Sequence, residues 1–362
     1  MHWSICWMLA VALSAVCLWP AAPITSAQAV PSQRVVQIMT QNMDEGTDFG
    51  PLLTATSFSG FAVAVTATYQ EVQASKPDER ATAIAQEIAL AQPTLLGLQE
   101  VSFWRTGSPG SPAATIVQFD QLQSLLSALS AQGLHYAPLA VQTNLDVEAP
   151  STLGYDVRIT DRDVVLARTD LPTSQFQVLT VHAQHFVNTL VVPSLVGPVR
   201  VPHSWIAVDA QIRGTSYRFM TTHLEGTSPS VQVAQGNELL QGPANTTMPV
   251  VIAGDLNSAA SGGPDPSTTY NNLVAAGFSD AWALANSTDP GFTFPLHGED
   301  PYTFVLPAPL SERIDLVLVR NKVTVSGIER VGSAPVEQTP TGLLWPSDHA
   351  GVTAQLQMPD AP

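Results

Sequence analysis

Val250-Val251-Ile252-Ala253-Gly254-Asp255-Leu256-Asn257 sets a short apolar run against two small polar side chains one residue apart. An apolar run this short, closed by a turn signal, reads as a buried strand. The strand end projects Asp255 and Asn257 toward one cavity, and Gly254 lets the backbone approach a neighbour closely. The same wording recurs on either side. Upstream, Tyr217–Thr222 is a strand ending in His223, and a helix at about Val231–Leu240 leads from it to Val250. Downstream, Ile314–Val319 is a strand with Asp315 near its start. Farther out, Arg34–Thr40 ends at Asn42 and Asp44, and Thr94–Leu98 delivers Glu100. The strand Val352–Leu356 follows Ser347-Asp348-His349.

Between these strands lie helices. Pro77-Asp78-Glu79-Arg80 opens one, since proline suits the first helical position and acids suit the positive end of the helix dipole. Ile84, Ile88 and Ala91 then form its apolar stripe. A second helix, at about Phe119–Ala131, carries Leu122, Leu125, Leu126 and Leu129 on one side, with Gly133 as its C-terminal stop. Strands are also expected at Val164–Ala167, Phe176–His182, Trp205–Ile212 and Val323–Ile328. The mixture implies an α/β (α+β) fold, a four-layer sandwich of two packed mixed β-sheets flanked by helices. No internal repeat is visible, and residues 30–362 read as a single domain. Thr106–Ala114 reads as a loop at the site rim, Ser261–Thr269 as a polar loop, and Trp282–Tyr302 as an aromatic, proline-rich pocket wall or packed loop.

Residues 1–29 contain no Lys, Arg, Asp or Glu, Ile5–Trp19 is apolar, and Ala27-Gln28-Ala29 has the small-x-small pattern of a signal peptide cleaved before Val30. Pro20 and Pro23 break the run, which is short of the ~20 apolar residues of a membrane span. Both cysteines, Cys6 and Cys17, fall in this segment, so the mature chain can hold neither a disulfide framework nor a thiolate metal site. A secreted protein, periplasmic in a Gram-negative source, is expected. Acidic residues number 30 against 14 basic ones, for a net charge of −16. Duplex DNA binding draws on a basic face that releases counterions, and such a face is scarce here.

Taken singly, each polar motif also has an ordinary reading. Leu98-Gln99-Glu100-Val101 can end a strand with a plain glutamate, Asn42-Met43-Asp44 can be a turn, and Gly254-Asp255-Leu256-Asn257 can be an Asx turn. His223 can be a satisfied core histidine. Arg158, Arg162 and Arg168 can contact phosphate or simply be solvated, and His182 and His185 fall on opposite strand faces, which disfavours zinc. Together and in this order, the motifs resemble the endonuclease/exonuclease/phosphatase superfamily. That group includes pancreatic-type deoxyribonucleases, abasic-site endonucleases, bacterial sphingomyelinases and inositol-phosphate phosphatases.

The resemblance implies a metal-dependent hydrolase acting on phosphoric esters. It places Glu100, Asn42, Asp348 and Asp44 at a divalent cation, Mg²⁺ or else Mn²⁺ or Ca²⁺. It pairs His349 with Asp315, gives Asp255 the attacking water, and puts Asn257 and His223 on the phosphoryl oxygens, with either His349 or Asp255 as base. The expected partner is a phosphoester, either nucleic acid or a phospholipid headgroup, with no stable membrane span and a monomeric protein. The first expectation is a nuclease-like phosphodiesterase. A sphingomyelinase-like or inositol-type enzyme is the alternative, and the stretch Leu171–Val199, which lacks acidic and basic residues, is either a membrane-touching hairpin or a buried strand and loop. A catalytically silent binding protein is the remote third.

Overall fold

An apolar strand can bury both faces only where a second layer meets each of them. The computed structural model describes residues 34–110, 113–195, 197–262, 268–286, 288–296, 310–333, 337–339 and 342–360. The expected signal segment, its two cysteines, the cleavage point before Val30 and Tyr302 lie outside the described residues.

The chain runs β1 (Val35–Asn42), α1 (Gly50–Thr54), α2 (Phe58–Ala74), α3 (Pro77–Ala91), β2 (Leu95–Gln99), β3 (Phe103–Gly107), β4 (Ile116–Asp120), α4 (Gln121–Ala131), β5 (Tyr136–Pro150) and β6 (Asp156–Arg168). It continues through β7 (Phe176–His185), β8 (Leu190–Val192), β9 (Val199–Val201), β10 (Ser204–Ile212), β11 (Thr215–Thr222), α5 (Pro229–Gln241) and β12 (Val250–Asp255). There follow β13 (Ser261–Gly262), α6 (Thr268–Ala275), β14 (Ser279–Asp280), α7 (Ala281–Ala285), β15 (Glu312–Arg313), β16 (Asp315–Arg320), β17 (Thr324–Val331), β18 (Glu337–Thr339), β19 (Gly342–Leu344) and β20 (Gly351–Gln357).

Two mixed sheets form the body. The first has eight strands in the order β17-β20-β1-β2-β6-β3-β4, with β5 also paired to β6; the second has six, β14-β16-β12-β11-β10-β7. Each contains a parallel pair, β1 with β2 and β11 with β12, joined through helices. Their facing sides meet in one core that includes Ile38, Val165, Ile206, Phe219, Val251, Val317 and Ala354. On the outer face of the first sheet, Ile84 and Ile88 of α3 and Leu122 and Leu125 of α4 cover Met39, Leu96 and Leu98. On the outer face of the second, Leu239 and Leu273 of α5 and α6 cover Val250, Ile252 and Leu316. The layers are therefore helix, sheet, sheet, helix, as the sequence implied. Among the described residues no helix is long and apolar enough to cross a membrane.

Local chemistry explains the helices that were legible. Pro77 sits in the first turn of α3 with Asp78 and Glu79, and Asp120 caps α4 by accepting from the Gln123 amide. Helix α2 was not legible: its sequence is rich in Val and Thr and includes Gly60, all weak helix formers. Tertiary packing makes it helical, because Val65, Tyr69 and Val72 close over Trp104, Val157 and Ile159. The expected rim loop also shifts. Thr106 and Gly107 finish β3, and only the residues after them turn.

Candidate active site

Three neighbouring strands of the second sheet each place one residue in a row. His223, just past β11, bridges in parallel to Asp255 at the end of β12, and Asp255 stands opposite Asp315, the first residue of β16. Direct cross-strand neighbours project to the same face, here the face toward the first sheet. A Cβ at Gly254 would overlap the Thr222 backbone, so glycine is required where β12 passes β11. From the first sheet, β1 and β2 end side by side at Asn42 and Gln99, and Glu100 comes next.

The two ends meet through short contacts. Asn42 Nδ2 donates to Glu100 Oε1 at 2.8 Å and to Asp255 Oδ2 at 3.1 Å. Asp255 Oδ1 accepts from the Asn257 amide at 2.8 Å, and Asn257 Nδ2 lies 3.0 Å from His223 Nε2. That imidazole nitrogen is 3.6 Å from Asp255 Oδ2 and 3.9 Å from Glu100 Oε1. On the other side His349 Nδ1 is 2.9 Å from Asp315 Oδ2, leaving Nε2 turned to Asp255 Oδ2 at 3.9 Å. The structure thus brings together Asn42, Glu100, His223, Asp255, Asn257, Asp315 and His349. Asp348 joins them electrostatically, raising both Glu100 and His349, while its backbone carbonyl accepts from the Leu296 amide at 2.7 Å. Asp44 has another engagement. Its Oδ2 is 3.3 Å from Arg80 Nη1, and its Oδ1 accepts from the Gly46 amide at 2.6 Å.

Some of the site was invisible in the sequence. Glu100, Asn257 and Asp44 hold left-handed backbone angles, φ 53°, 48° and 56°. For non-glycine residues such angles cost about 1–3 kcal/mol each and persist where the surroundings impose them. Thr293, fully buried, accepts from the Asp315 amide at 3.2 Å, and the Phe294 ring packs 4.6 Å from that of His349. Both lie in the Trp282–Tyr302 stretch read from sequence as a pocket wall or packed loop, although neither residue stood out individually. Glu225, two residues past His223, reaches within 3.5 Å of His203 Nε2, and the His203 ring stands edge-on to His223 at 4.8 Å. Glu45 also belongs to the acidic group, and its adjacency to Asp44 was the available clue.

Crowding sets the electrostatics. Burial, then Asp348 and Asp44, push Glu100 well above the usual carboxylate range, against the opposing pull of His349 and Asn42. Burial also raises Asp315, with Asp255 adding to the effect. For His349, burial favours the neutral ring, but Asp315, Asp348 and Asp255 together outweigh it and lift the imidazole well above its ordinary value. Buried like charges of this kind are relieved by a cation. Glu100, His223 and Asp255 each offer a ligand atom within 4.8 Å of the others, as do Asp255, Asp315 and His349. Carboxylate oxygens suit a hard divalent ion and imidazole a borderline one, so the residues present fit a metal.

Comparison with known proteins bears on the family and the fold. The model of the Endonuclease/Exonuclease/phosphatase family matches residues 39–349. Among solved structures, a family protein from Bacteroides thetaiotaomicron is 14% identical at a TM-score of 0.58, covering 90% of this chain and 98% of its own. The mannosyl-6-phosphatase Bt3783 of the same organism is 14% identical at 0.54, covering 89% and 99%. TDP2 from D. rerio, complexed with single-strand DNA product, is 17% identical at 0.51, covering 90% and 99%. At these identities the likeness concerns the fold. No curated protein matches the chain at a significant level. With the family model running from β1 through His349, the chain belongs to the endonuclease/exonuclease/phosphatase family and is a hydrolase of phosphoester bonds.

Proposed function

We propose that this protein is an exported, divalent-metal-dependent phosphodiesterase that directs water in line at phosphorus. The observation that carries this reading is the row His223–Asp255–Asp315 facing Asn42 and Glu100, with His349 held by Asp315 at 2.9 Å. Glu100, Asn42 and Asp348 would hold the cation, which neutralises charge on the phosphoryl group when bound. The chain's own groups do the rest. Asp315 fixes the His349 ring through Nδ1 and so aims Nε2 into the site. Its carboxylate neighbours lift that imidazole above its ordinary value, which favours His349 as a donor to the phosphoryl oxygens. Asp255, held by Asn42 and by the Asn257 amide, takes the proton from water. Asn257 orients His223 through the 3.0 Å contact, and both face the phosphoryl oxygens. Positioning and electrostatics of this kind account for most of the barrier reduction in phosphoryl transfer.

Export is supported by the uncharged segment 1–29 and its small-x-small end. For the substrate, the charges around the site favour something smaller than duplex DNA. Arg80 is bound to backbone carbonyls and Asp44, Arg162 to Asp120, Arg105 and Arg158 to Asp146, and Arg313 to Asp280. None of these is left over for a row of phosphates. A phospholipid headgroup is the second reading. It is favoured by the β8–β9 hairpin region, where Val187, Val191 and Leu195 are 76%, 47% and 38% exposed. The neighbours named for a sugar monoester and for DNA span too wide a range to choose between these. Hydrolysis of a single-stranded oligonucleotide, sphingomyelin vesicles and bis-p-nitrophenyl phosphate, with Mg²⁺ or chelator, tests the assignment. Cleavage of at least one in Mg²⁺ and of none in chelator is expected, and silence on all three from folded, metal-bound protein would refute it.

A further inference from the structure

Beside the catalytic row lies a second group of oxygen donors that the phosphoester mechanism does not use. Asp161 and Asp163 are two apart on β6, so they share one strand face, while Arg162 between them turns away to the Val101 and Ser102 carbonyls and Asp120. That shared face looks toward the second sheet, since Ser204 Oγ of β10 donates to Asp163 Oδ2 at 2.5 Å. Opposite Asp161 the pairing of β5 with β6 slips between Thr143 and Asp146. Such a bulge re-aims side chains, and here it brings Asn144, whose Nδ2 donates to Asp161 Oδ2 at 3.1 Å.

Three oxygens in this group are left with nothing to accept. Asp161 Oδ1, Asp163 Oδ1 and Asn144 Oδ1 are buried and meet no hydrogen-bond donor. Their residues are only 8%, 0% and 7% exposed. A buried polar atom without a partner costs about 1–3 kcal/mol, and more when it is charged. Two carboxylates and an amide on the paired strands β5 and β6 thus supply three buried, unpartnered oxygens, an oxygen-only donor set. The group is electrostatically continuous with the active site but separate from its ligands. Asp161 helps to raise Glu45, after burial; burial and then Asp161 raise Asp163 to about 6, against the pull of His223, Ser204 and Asn144.

We propose that Asp161, Asp163 and Asn144, with the Ser204 hydroxyl at the edge, form a second divalent-cation site suited to Ca²⁺. Ca²⁺ takes six to eight oxygens in irregular geometry, so carboxylate, amide and hydroxyl oxygens with water can complete its shell. The site is independent of the phosphoester reading. The competing state is metal-free.

The test counts Ca²⁺ bound to the full chain by isothermal titration calorimetry at pH 7.5, in wild type, the Asp161→Asn/Asp163→Asn double variant, Asn144→Ala and Glu100→Gln. Asn144→Ala removes one neutral ligand and leaves the carboxylates, so it reads the site even if the double variant misfolds. Expected are one fewer ion in the double variant, a roughly tenfold weaker ion in Asn144→Ala, and retention of that ion in Glu100→Gln. Unchanged stoichiometry and affinity in both donor-set variants, or loss of every ion in Glu100→Gln, would overturn the proposal. Hydrolysis does not enter the readout. A chain that binds Ca²⁺ this way yet cleaves nothing keeps this inference and sinks the phosphodiesterase.

Discussion

Two buried carboxylate–cation pairs sit close together, and they are built for opposite ends. Arg80, fully buried, spends its donors on the Met43, Asp44 and Ser75 carbonyls as well as on the Asp44 carboxylate. That pair is closed and ties the loop after β1 to the start of α3. His349 meets Asp315 through Nδ1 only, and its other nitrogen faces Asp255 across 3.9 Å. One pair is saturated from within the chain, whereas the other keeps one valence turned into the site. A saturated pair reads as stability and a half-used one as chemistry.

The comparison breaks most sharply on activity. His349→Ala should lower turnover by about 10²- to 10⁴-fold, the range of one positioned proton donor or acceptor. Its melting temperature, read by differential scanning calorimetry, should fall less than that of Arg80→Met, because Asp315, already raised by burial, can take up a proton once the imidazole is gone. Arg80→Met should do the reverse. Removing one partner of a buried pair costs about 3–5 kcal/mol, read as a lower denaturation midpoint, while the protein that remains folded keeps its specific activity. If Arg80→Met instead lost turnover while fully folded, the distinction between the pairs would fail.

A third carboxylate sharpens the same point, because no cation meets it among the described residues. Glu87 in α3 has two buried oxygens without a hydrogen-bond partner among the described residues, and burial pushes its carboxyl up from 4.5 to about 8. The folded state therefore holds a proton that the unfolded state releases above about 4.5, so stability falls as pH rises toward 8 and the loss is complete above it. Glu87→Gln does not titrate. It should be more stable than wild type at pH 9 by up to about 5 kcal/mol, with the gap gone at pH 4. Urea midpoints at the two pH values check this. The smallest expected effect is Ile84→Val, which trims one methylene under the first sheet for about 0.5–1.5 kcal/mol without altering turnover.

The legible parts of the molecule are those where one local rule suffices. Helix α3 announced itself through Pro77 and the Ile84–Ile88 stripe, and the site residues through polar side chains at apolar strand ends. What stayed hidden depends on distant partners. Helix α2 exists because Trp104 and Val157 receive it, and β5 runs through Pro138 and Pro150 because β6 pairs with it along its length. The Arg80 guanidinium behind Asp44 is likewise hidden, since nothing in the sequence joins the two. The left-handed turn at Glu100 is equally silent, since glutamate gives no local reason for φ of 53°.

The most direct measurement follows hydrolysis of bis-p-nitrophenyl phosphate by the purified chain from Val30, in Mg²⁺ and in excess chelator, beside folded His349→Ala. Turnover in Mg²⁺ that disappears both in chelator and in the variant is the expected result. Wild-type turnover that persists in chelator, or an active His349→Ala, would contradict a metal-dependent site organised around the His349–Asp315 pair.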